Sequence, residues 1–467
     1  MEESFDVVII GAGPAGYVAA IRCAQLGLKT ACIEKRMEHG GTCLNVGCIP
    51  SKTLLYSSEL YNTVHSQGSS LGIVTPSLSF DFQQMMKRKR DVISSLNEGI
   101  KGLFKKNKIT HFIGSASFLS SESIQIFQGP TTTIVRAKKF IIATGSEPTP
   151  LPFLPFDERK VLSSTGALSL DKVPKSLIVV GAGVIGVELG SVYARLGSHV
   201  VFLEFLDKIC PMFDGSISKS FQDILQKQGM QFHLSCKVVG AEVSDKSVIV
   251  KAQKNSDASL FSLEAEAILV SIGRRPYTEG LGLDKIGVLT NAKGQIPVDS
   301  MFRTSCSNVY AIGDVIDGPM LAHKASEEGT CVAEVIAGHT PSLDYIAIPN
   351  VVYTHPELAS VGLTEEEAKS LDFSITTGSY FFKSNSRGKC AQQEEGFVKI
   401  IVDTTSDIVL GIHILGAHAS EMITLAVSII HNRMKCEDLS SLCFPHPTLS
   451  EAIKEAALSV HKKAIHK

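Results

Sequence analysis

At 467 residues, 44% of them hydrophobic, the chain is long enough for about three domains of ordinary size, each with its own core. A net charge of −2 gives no general basis for holding nucleic acid or a strongly acidic partner. Eleven cysteines over this length are too dilute for a secreted disulfide framework, and their odd number leaves at least one unpaired within the chain; such usage suits a reducing compartment.

Met1-Glu2-Glu3 is acidic where a signal peptide is basic. The apolar run Val7 to Ile21 is too short for a typical membrane span and is broken by Gly11, Gly13, Pro14 and Gly16. Folding also starts too early to leave room for a cleaved transit segment, so a cytoplasmic protein with no membrane segment is expected. Asp6 to Ile10 reads as a buried strand, and Gly11-Ala-Gly13-Pro-Ala-Gly16 opens a helix running to Gln25 and ending at Leu26-Gly27. Lys29 to Ile33 is a second strand, capped by Glu34. This is a dinucleotide fingerprint in context: the glycines allow a tight turn and a close approach of backbone N–H groups to a pyrophosphate, and the acid accepts from a ribose diol.

In Gly40-Gly-Thr-Cys43-Leu-Asn-Val-Gly-Cys48-Ile-Pro-Ser-Lys52, two cysteines lie five positions apart. Five helical residues rise roughly 7.5 Å, whereas a disulfide wants its Cα atoms within about 7 Å. If the two are bonded, the backbone between them must leave helical geometry, and Gly47 is the residue best able to do so. A loop so short and constrained suggests a disulfide made to open and close. Thr53 to Tyr61 reads as a helix. A second helix carries Phe82, Met85, Met86, Val92, Ile93, Leu96, Ile100, Leu103 and Phe104 at helical spacing, with Lys87-Arg88-Lys89-Arg90 expected on its solvated face.

Lys139 to Ala143 is a strand ending in Thr144-Gly145-Ser146, and Pro148, Pro150, Pro152 and Pro155 mark a domain boundary. The fingerprint then recurs. Gly181-Ala-Gly183-Val-Ile-Gly186 follows the strand Leu177 to Val180, its helix ends at Leu196-Gly197, and Val200 to Leu203 leads to Glu204. One offset of 170 carries Gly11 to Gly181, Gly16 to Gly186, Gly27 to Gly197 and Glu34 to Glu204, so two dinucleotide sites are expected. Phe205-Leu206-Asp207-Lys208 brings no arginine for a 2′-phosphate, which Glu204 would repel, so the second site prefers NAD to NADP. Ala267 to Ile272 ends that unit at Gly273-Arg-Arg-Pro276. Asn308 to Asp314 then delivers a carboxylate at a strand's C-terminal end, where open α/β sheets bind ligands, and Asp314 is assigned to the first cofactor.

From about Ile346 the pattern changes. Val398 to Val402 and Leu410 to Ile414 read as antiparallel strands, while Thr364-Glu-Glu-Glu367 and Ser420 onward look like helix starts. No fingerprint recurs, and this third, mixed domain suits assembly. Near its end comes His446-Pro-Thr-Leu-Ser-Glu451, in which Thr448-x-x-Glu451 has the form of a capping box. His446 competes as a candidate base with His355, in a second His-Pro pair, and with His323 after the Asp314 loop; spacing does not choose among them.

The Gly40–Lys52 wording, Ala143-Thr-Gly-Ser146, Gly181 to Gly190 with Glu188, Tyr310-Ala-Ile-Gly-Asp314 and His446–Glu451 together resemble the pyridine nucleotide-disulfide oxidoreductases, over essentially the whole chain and in the family's order. The resemblance implies an α/β protein with two Rossmann-like domains and a C-terminal α+β dimerisation domain. The expected domains are an FAD-binding domain 1–149, an NAD-binding domain 150–276, a central segment 277–345 completing the FAD site and an interface domain 346–467. It implies FAD against Gly11, Gly13, Gly16, Glu34, Lys52, Gly114, Thr144, Gly145, Ser146, Asp314 and Met320-Leu321-Ala322-His323. NAD is implied at Gly181, Gly183, Gly186, Glu188, Glu204, Val238 and Gly273. Catalytic roles are implied for Cys43 as the interchange thiol, Cys48 on the flavin side, Lys52 paired with Glu188, and His446, oriented by Glu451 and supplied across a homodimer interface. No metal is implied. The Cys-Leu-Asn-Val-Gly-Cys-Ile-Pro-Ser-Lys and His-Pro-Thr-Leu-Ser-Glu wordings imply a substrate dithiol on the lipoyl domains of a 2-oxoacid dehydrogenase complex. Rival readings are a glutathione-like, thioredoxin-like or mercuric reductase, and a non-catalytic assembly subunit. Glu204 weighs against the NADPH-linked ones, the absence of cysteine after Cys443 against the mercuric one, and the intact Cys43/Cys48 pair, Lys52 and His446 against the last.

Overall fold

The computed structural model describes residues 3–466. Contacts divide the chain into two units: one comprises residues up to Leu54, Asp81–Thr149 and Gly273–Leu343, the other Leu55–Phe80, Pro150–Ile272 and the residues from Asp344 onward.

In the first unit, Val7, Val8, Ile9 and Ile10 are all buried, as a strand covered on both faces requires. Strand Glu3–Ile10 pairs in parallel with Thr30–Glu34 and with Thr131–Ile142; Thr110–Ile113 and Val309–Ala311 extend the parallel sheet at either side. Thr131–Ile142 is longer than the strand expected from Lys139. Its first half joins the antiparallel strands Ser115–Ser120 and Ser123–Gln128. Helix Pro14–Gln25 packs against helix Ala322–Ile336 so closely that a Cβ on Gly329 would lie 2.5 Å from the Ala15 carbonyl oxygen, and Arg22 pairs with Glu334 at 2.6 Å.

One expectation fails here. In helix Phe82–Lys106, Lys87, Arg88 and Arg90 are exposed but Lys89 is buried, which pulls its ammonium pKa down to about 8. Position 89 lies on the same stripe as Phe82, Met86, Ile100 and Phe104, so helical phase overrides charge.

The second unit repeats the plan. Ser176–Val180 lies between His199–Leu203 and Ala267–Val270, with Gln231–His233 and Val161–Leu162 outside them, all parallel, and Cys236–Val243, Val248–Lys254 and Leu260–Ala265 form an antiparallel meander. Its C-terminal part is an antiparallel sheet in the order Asn350–Val352, Glu357–Gly362, Val409–Gly416, Phe397–Asp403, Ile375–Phe381. Helices Ala419–His431, Cys436–Ser441 and Glu451–Val460 belong to the same part. The polar positions Lys399 and His413 of these strands pair in register and are buried; Lys399 Nζ donates to both Asp214 oxygens at 2.9 and 2.8 Å and to Glu365 at 2.6 Å. Thr364 and Glu367 form the expected capping box of helix Glu365–Ser370.

Among the described residues, no helix is long and apolar enough to cross a membrane.

Candidate active site

The first glycine turn has the geometry its sequence calls for. Gly11 adopts φ +103, and a Cβ there would lie 2.4 Å from the Ala143 carbonyl oxygen. Gly13 is the N-cap of helix Pro14–Gln25. A Cβ on Gly16 would overlap the Gly11 carbonyl, so this glycine lets helix and strand meet. The buried Glu34 carboxylate accepts from the Ala12 N–H at 2.9 Å with one oxygen and from the Arg36 N–H at 3.1 Å with the other. The Gly114 N–H donates to the Glu34 carbonyl at 2.8 Å.

The second turn copies these bonds at the same offset of 170. Gly181 has φ +96, Gly183 caps helix Val184–Arg195, and Glu204 accepts from the Ala182 N–H at 2.6 Å and the Leu206 N–H at 2.9 Å. A Cβ on Gly183 would meet nothing within 4 Å, so space is open in front of this helix N-terminus. Glu188 is buried and accepts from the Tyr353 N–H at 3.0 Å, and Val238 is buried in the meander. Gly273, expected at this site, falls in the first unit.

The cysteine loop is built on the first turn. Helix Gly41–Val46 ends at Gly47, and helix Cys48–Gln67 begins at the next residue. Helical geometry therefore breaks between the cysteines at Gly47, where a Cβ would lie 2.9 Å from the Thr42 carbonyl oxygen. The later helix starts five residues before the expected Thr53, so Cys48 and Lys52 share its first turns. Cys43 and Cys48 are both thiols and hydrogen-bond to each other. That bond raises the Cys43 pKa well above the ordinary thiol range, with burial adding to it, while the Lys52 charge pulls the other way. The loop is fastened to the dinucleotide turn by the Gly40 N–H, which donates to the Ala12 carbonyl at 2.8 Å, and Gly41, at φ +57, lies against Gly13.

Several residues with no assigned role complete the site. Asn45 Nδ2 donates to the His39 and Gly41 carbonyls at 2.8 and 2.9 Å, and Asn97 Nδ2 donates to Asn45 Oδ1 at 2.9 Å. A polar residue on the buried stripe of helix Phe82–Lys106 was the available signal for Asn97. Thr144 Oγ1 donates to the Tyr277 carbonyl, and Ser146 Oγ to Asp314 Oδ2, each at 2.5 Å. Beneath Asp314, the buried pair Lys324–Glu328 closes at 2.9 Å, and Glu328 accepts the Gly313 N–H at 2.8 Å. Met320 and Leu321 precede helix Ala322–Ile336, and His323 on it is exposed. Arg274 also enters this network, by bonds given below.

In the second unit, His446 Nδ1 lies 2.9 Å from Glu451 Oε1, and the His446 side chain is 68% exposed. His355 makes a similar 2.9 Å contact with Glu59, but its side chain is only 26% exposed. The expected capping box forms only by half. Glu451 opens helix Glu451–Val460 instead of standing at its third position; it accepts the Thr448 N–H at 2.8 Å, but Thr448 Oγ1 turns back to the Pro445 carbonyl. Glu451 is thus free to orient His446 with its other oxygen. Asp407, Cys436 and His461 bring ligand-type atoms within 4.8 Å of one another, yet each has a structural partner: Asp407 pairs with His461 and caps the Glu437 N–H, and the Cys436 thiol donates to the Ala457 carbonyl.

Residues 5–329 match the family model described as pyridine nucleotide-disulphide oxidoreductase, and residues 348–457 match its dimerisation domain. The chain belongs to the pyridine nucleotide-disulphide oxidoreductases. It is 49% identical to the mitochondrial dihydrolipoyl dehydrogenase of Pisum sativum, with 99% of this chain and 92% of that protein aligned. It is 46% identical to dihydrolipoyl dehydrogenase 3 of Pseudomonas aeruginosa, with both chains fully covered. Two leghemoglobin reductases, of Vigna unguiculata and Glycine max, are 48% identical over 98% of this chain and 88% of theirs. Among solved structures, the HOCl-induced flavoprotein disulfide reductase RclA of Escherichia coli, as a Cu(II) complex, superposes with TM-score 0.87 at 27% identity, covering 98% of this chain and 99% of that one.

As in the rest of this family, the cofactors are FAD and NAD. The residues fit two dinucleotides. Each glycine turn has an acid held for a ribose. A Cβ on Gly145 or Gly273 would meet nothing within 4 Å, leaving room at the strand ends beside Ser146 and Asp314.

Proposed function

We propose that this flavoprotein oxidises protein-bound dihydrolipoamide to lipoamide, with NAD⁺ as the final acceptor, as the shared component of 2-oxoacid dehydrogenase complexes. The observation that carries this reading is the pair Cys43 and Cys48, in hydrogen-bond contact across the Gly47 break and fastened to the first dinucleotide turn. The dihydrolipoyl dehydrogenases among the relatives support the choice of substrate. The FAD-binding, NAD-binding, central and interface domains are those outlined from the sequence, and eleven cysteines suit a reducing location, the cytoplasm.

The cycle starts with Cys43 and Cys48 as a disulfide. His446, reaching the pair from a second copy of the chain, takes a proton from one substrate thiol, and Glu451 holds the ring and stabilises its positive charge. The thiolate attacks Cys43 Sγ; the Cys43–Cys48 bond breaks and Cys48 leaves as a thiolate. The second substrate sulfur then attacks the first, closing lipoamide and releasing Cys43 as a thiolate. Bound FAD accepts the electron pair from the dithiol and passes it as hydride to NAD⁺. Lys52 and Glu188 pair beside the flavin. Gly114, the loop Thr144–Ser146, Asp314 and Met320–His323 hold FAD; Glu204, Val238 and Gly273 hold NAD.

The test is an assay of the FAD-loaded protein for NADH formation from dihydrolipoamide and NAD⁺, beside glutathione disulfide with NADPH. Turnover in the first pair is expected; turnover only in the second would overturn the reading.

A further inference from the structure

Arg274 is carried into the redox centre by the ribbon that closes the first unit. Its strand, Arg274–Pro276, pairs antiparallel with Ser146–Pro148, setting Arg274 opposite Pro148 and Pro276 opposite Ser146. Bonds on either side lock this ribbon: the Thr149 N–H donates to the Gly273 carbonyl at 3.1 Å, and the Tyr277 N–H to the Gly145 carbonyl at 2.9 Å. The guanidinium spends two of its donors on one residue, Nε to Ser146 Oγ and Nη2 to the Ser146 carbonyl, both at 2.7 Å. Because a guanidinium has no acceptor, the Ser146 hydroxyl must accept from it, and its own proton goes to Asp314 Oδ2 at 2.5 Å. The relay Arg274–Ser146–Asp314 therefore has one direction.

Arg274 is largely removed from water, and burial draws its pKa down; the groups opposing this are Asp314 first, then Cys48 and Glu147, while Arg36 acts with burial. Glu147 is already engaged by Arg275 at 2.6 Å. The negative charge still to form in this neighbourhood is on Cys48. A guanidinium stays charged at any working pH and lowers the energy of a nearby thiolate, and a thiol of lower pKa is the faster leaving group.

We propose that Arg274 is a positioning residue for the flavin-side thiol: its charge stabilises the thiolate left on Cys48 when Cys43 is attacked, while its bonds to Ser146 fix the Asp314 carboxylate. This rests on the dithiol–disulfide reading for which sulfur leaves. It supplies a physical cause for the unequal roles of the two cysteines, since the hydrogen bond and burial that hold Cys43 protonated have no counterpart in Arg274, which faces Cys48.

The experiment measures alkylation by iodoacetamide at Cys43 and Cys48 separately, by peptide mass, across pH in the chemically reduced holoenzyme. Arg274→Met is expected to raise the Cys48 midpoint by about one pH unit or more, a tenfold loss of thiolate at a given pH, with the Cys43 midpoint moving less. Ser146→Ala keeps the charge and breaks the relay, so it is expected to weaken FAD retention with the Cys48 midpoint in place. An unmoved Cys48 midpoint in folded Arg274→Met overturns the proposal. If that variant does not fold, Arg274→Lys decides: the retained charge predicts a Cys48 midpoint close to wild type, and a rise of a unit or more overturns the proposal. Alkylation needs no substrate. A protein inactive on dihydrolipoamide that still shows the Arg274-dependent midpoint would sink the substrate reading and leave this one standing.

Discussion

Glu451 serves two partners at once, holding His446 Nδ1 at 2.9 Å with one carboxylate oxygen and the Thr448 N–H at 2.8 Å with the other. The imidazole is thereby oriented by the same side chain that fixes the chain entering the last helix.

This pairing sets an order of effects. His446→Gln is expected to slow NADH formation by about 10²–10⁴-fold, the usual contribution of a positioned general base. Glu451→Gln, which keeps an acceptor but loses the charge, is expected to lower kcat by about tenfold or more with little change in KM. His355→Gln should be milder than either, because His355 is engaged with Glu59 and gives its carbonyl to Gln228 Nε2 at 2.7 Å. Steady-state kinetics of the three variants check this; a larger loss in His355→Gln would move the base assignment.

The contact between Gly41 and Gly13 leaves no room for a side chain. A Cβ on Gly41 would stand 2.6 Å from the Gly13 Cα, at φ +57. Gly41→Ala is expected to destabilise the holoprotein by about 1–3 kcal/mol and to speed FAD release, read by thermal unfolding and flavin fluorescence. Gly27→Ala, at φ +85 with nothing within 4 Å, is the control and should lose stability without loosening FAD.

Removing Glu204 leaves the Ala182 and Leu206 N–H groups without their acceptor and a ribose without its own. Glu204→Ala is expected to raise the KM for NAD⁺ by about tenfold or more, in line with roughly 1–3 kcal/mol for an unmet buried partner. Cys43 alkylation should be unchanged. Better use of NAD⁺ by the variant would contradict the ribose role.

His39 and His111 form a buried pair with ring centroids 4.2 Å apart, against Phe104. Both His39 ring nitrogens and His111 Nε2 lack a hydrogen-bond partner in the protein. Burial lowers the His39 pKa, with the Lys101 charge adding to it and Glu98 opposing. Burial also takes His111 to about 4, helped by His39 and Lys101 and opposed by Glu34. Because the folded value lies below the ordinary 6.5, the stability involved is full above about pH 6.5. It is lost as pH falls from there toward 4, where the unfolded chain binds protons the folded one refuses. His39→Leu should therefore lose less of its unfolding temperature between pH 7 and pH 5 than the wild type does. Parallel losses would remove the pair from the acid response.

Much of this architecture was written in local pattern. The doubled fingerprint specified both parallel sheets, because a glycine turn, a buried strand and a terminal acid are short-range features, and the hydrogen bonds of Glu34 and Glu204 repeat at the offset read from the letters. The break at Gly47 was equally legible, since five helical residues between two cysteines exceed what a disulfide spans. Lys89 was misjudged because four consecutive basic residues cover every side of a helix, so one of them falls on the buried stripe. The Thr448 capping box was half misread because a side chain with two possible acceptors chooses by the direction in which the preceding loop arrives.

The sequence by itself determined two dinucleotide folds, a preference for NAD at the second and a redox-type cysteine loop, all properties of contiguous residues. Only the tertiary structure brought Asn97 onto Asn45, Lys324 and Glu328 beneath Asp314, and Arg274 onto Ser146. These partners are 52 and 128 positions apart in the two hydrogen-bonded cases, and no periodicity within a segment encodes a contact between segments. It also distinguished His446 from His355: both hold a carboxylate at 2.9 Å, and the difference is solvent exposure, which depends on what the rest of the chain packs over each ring.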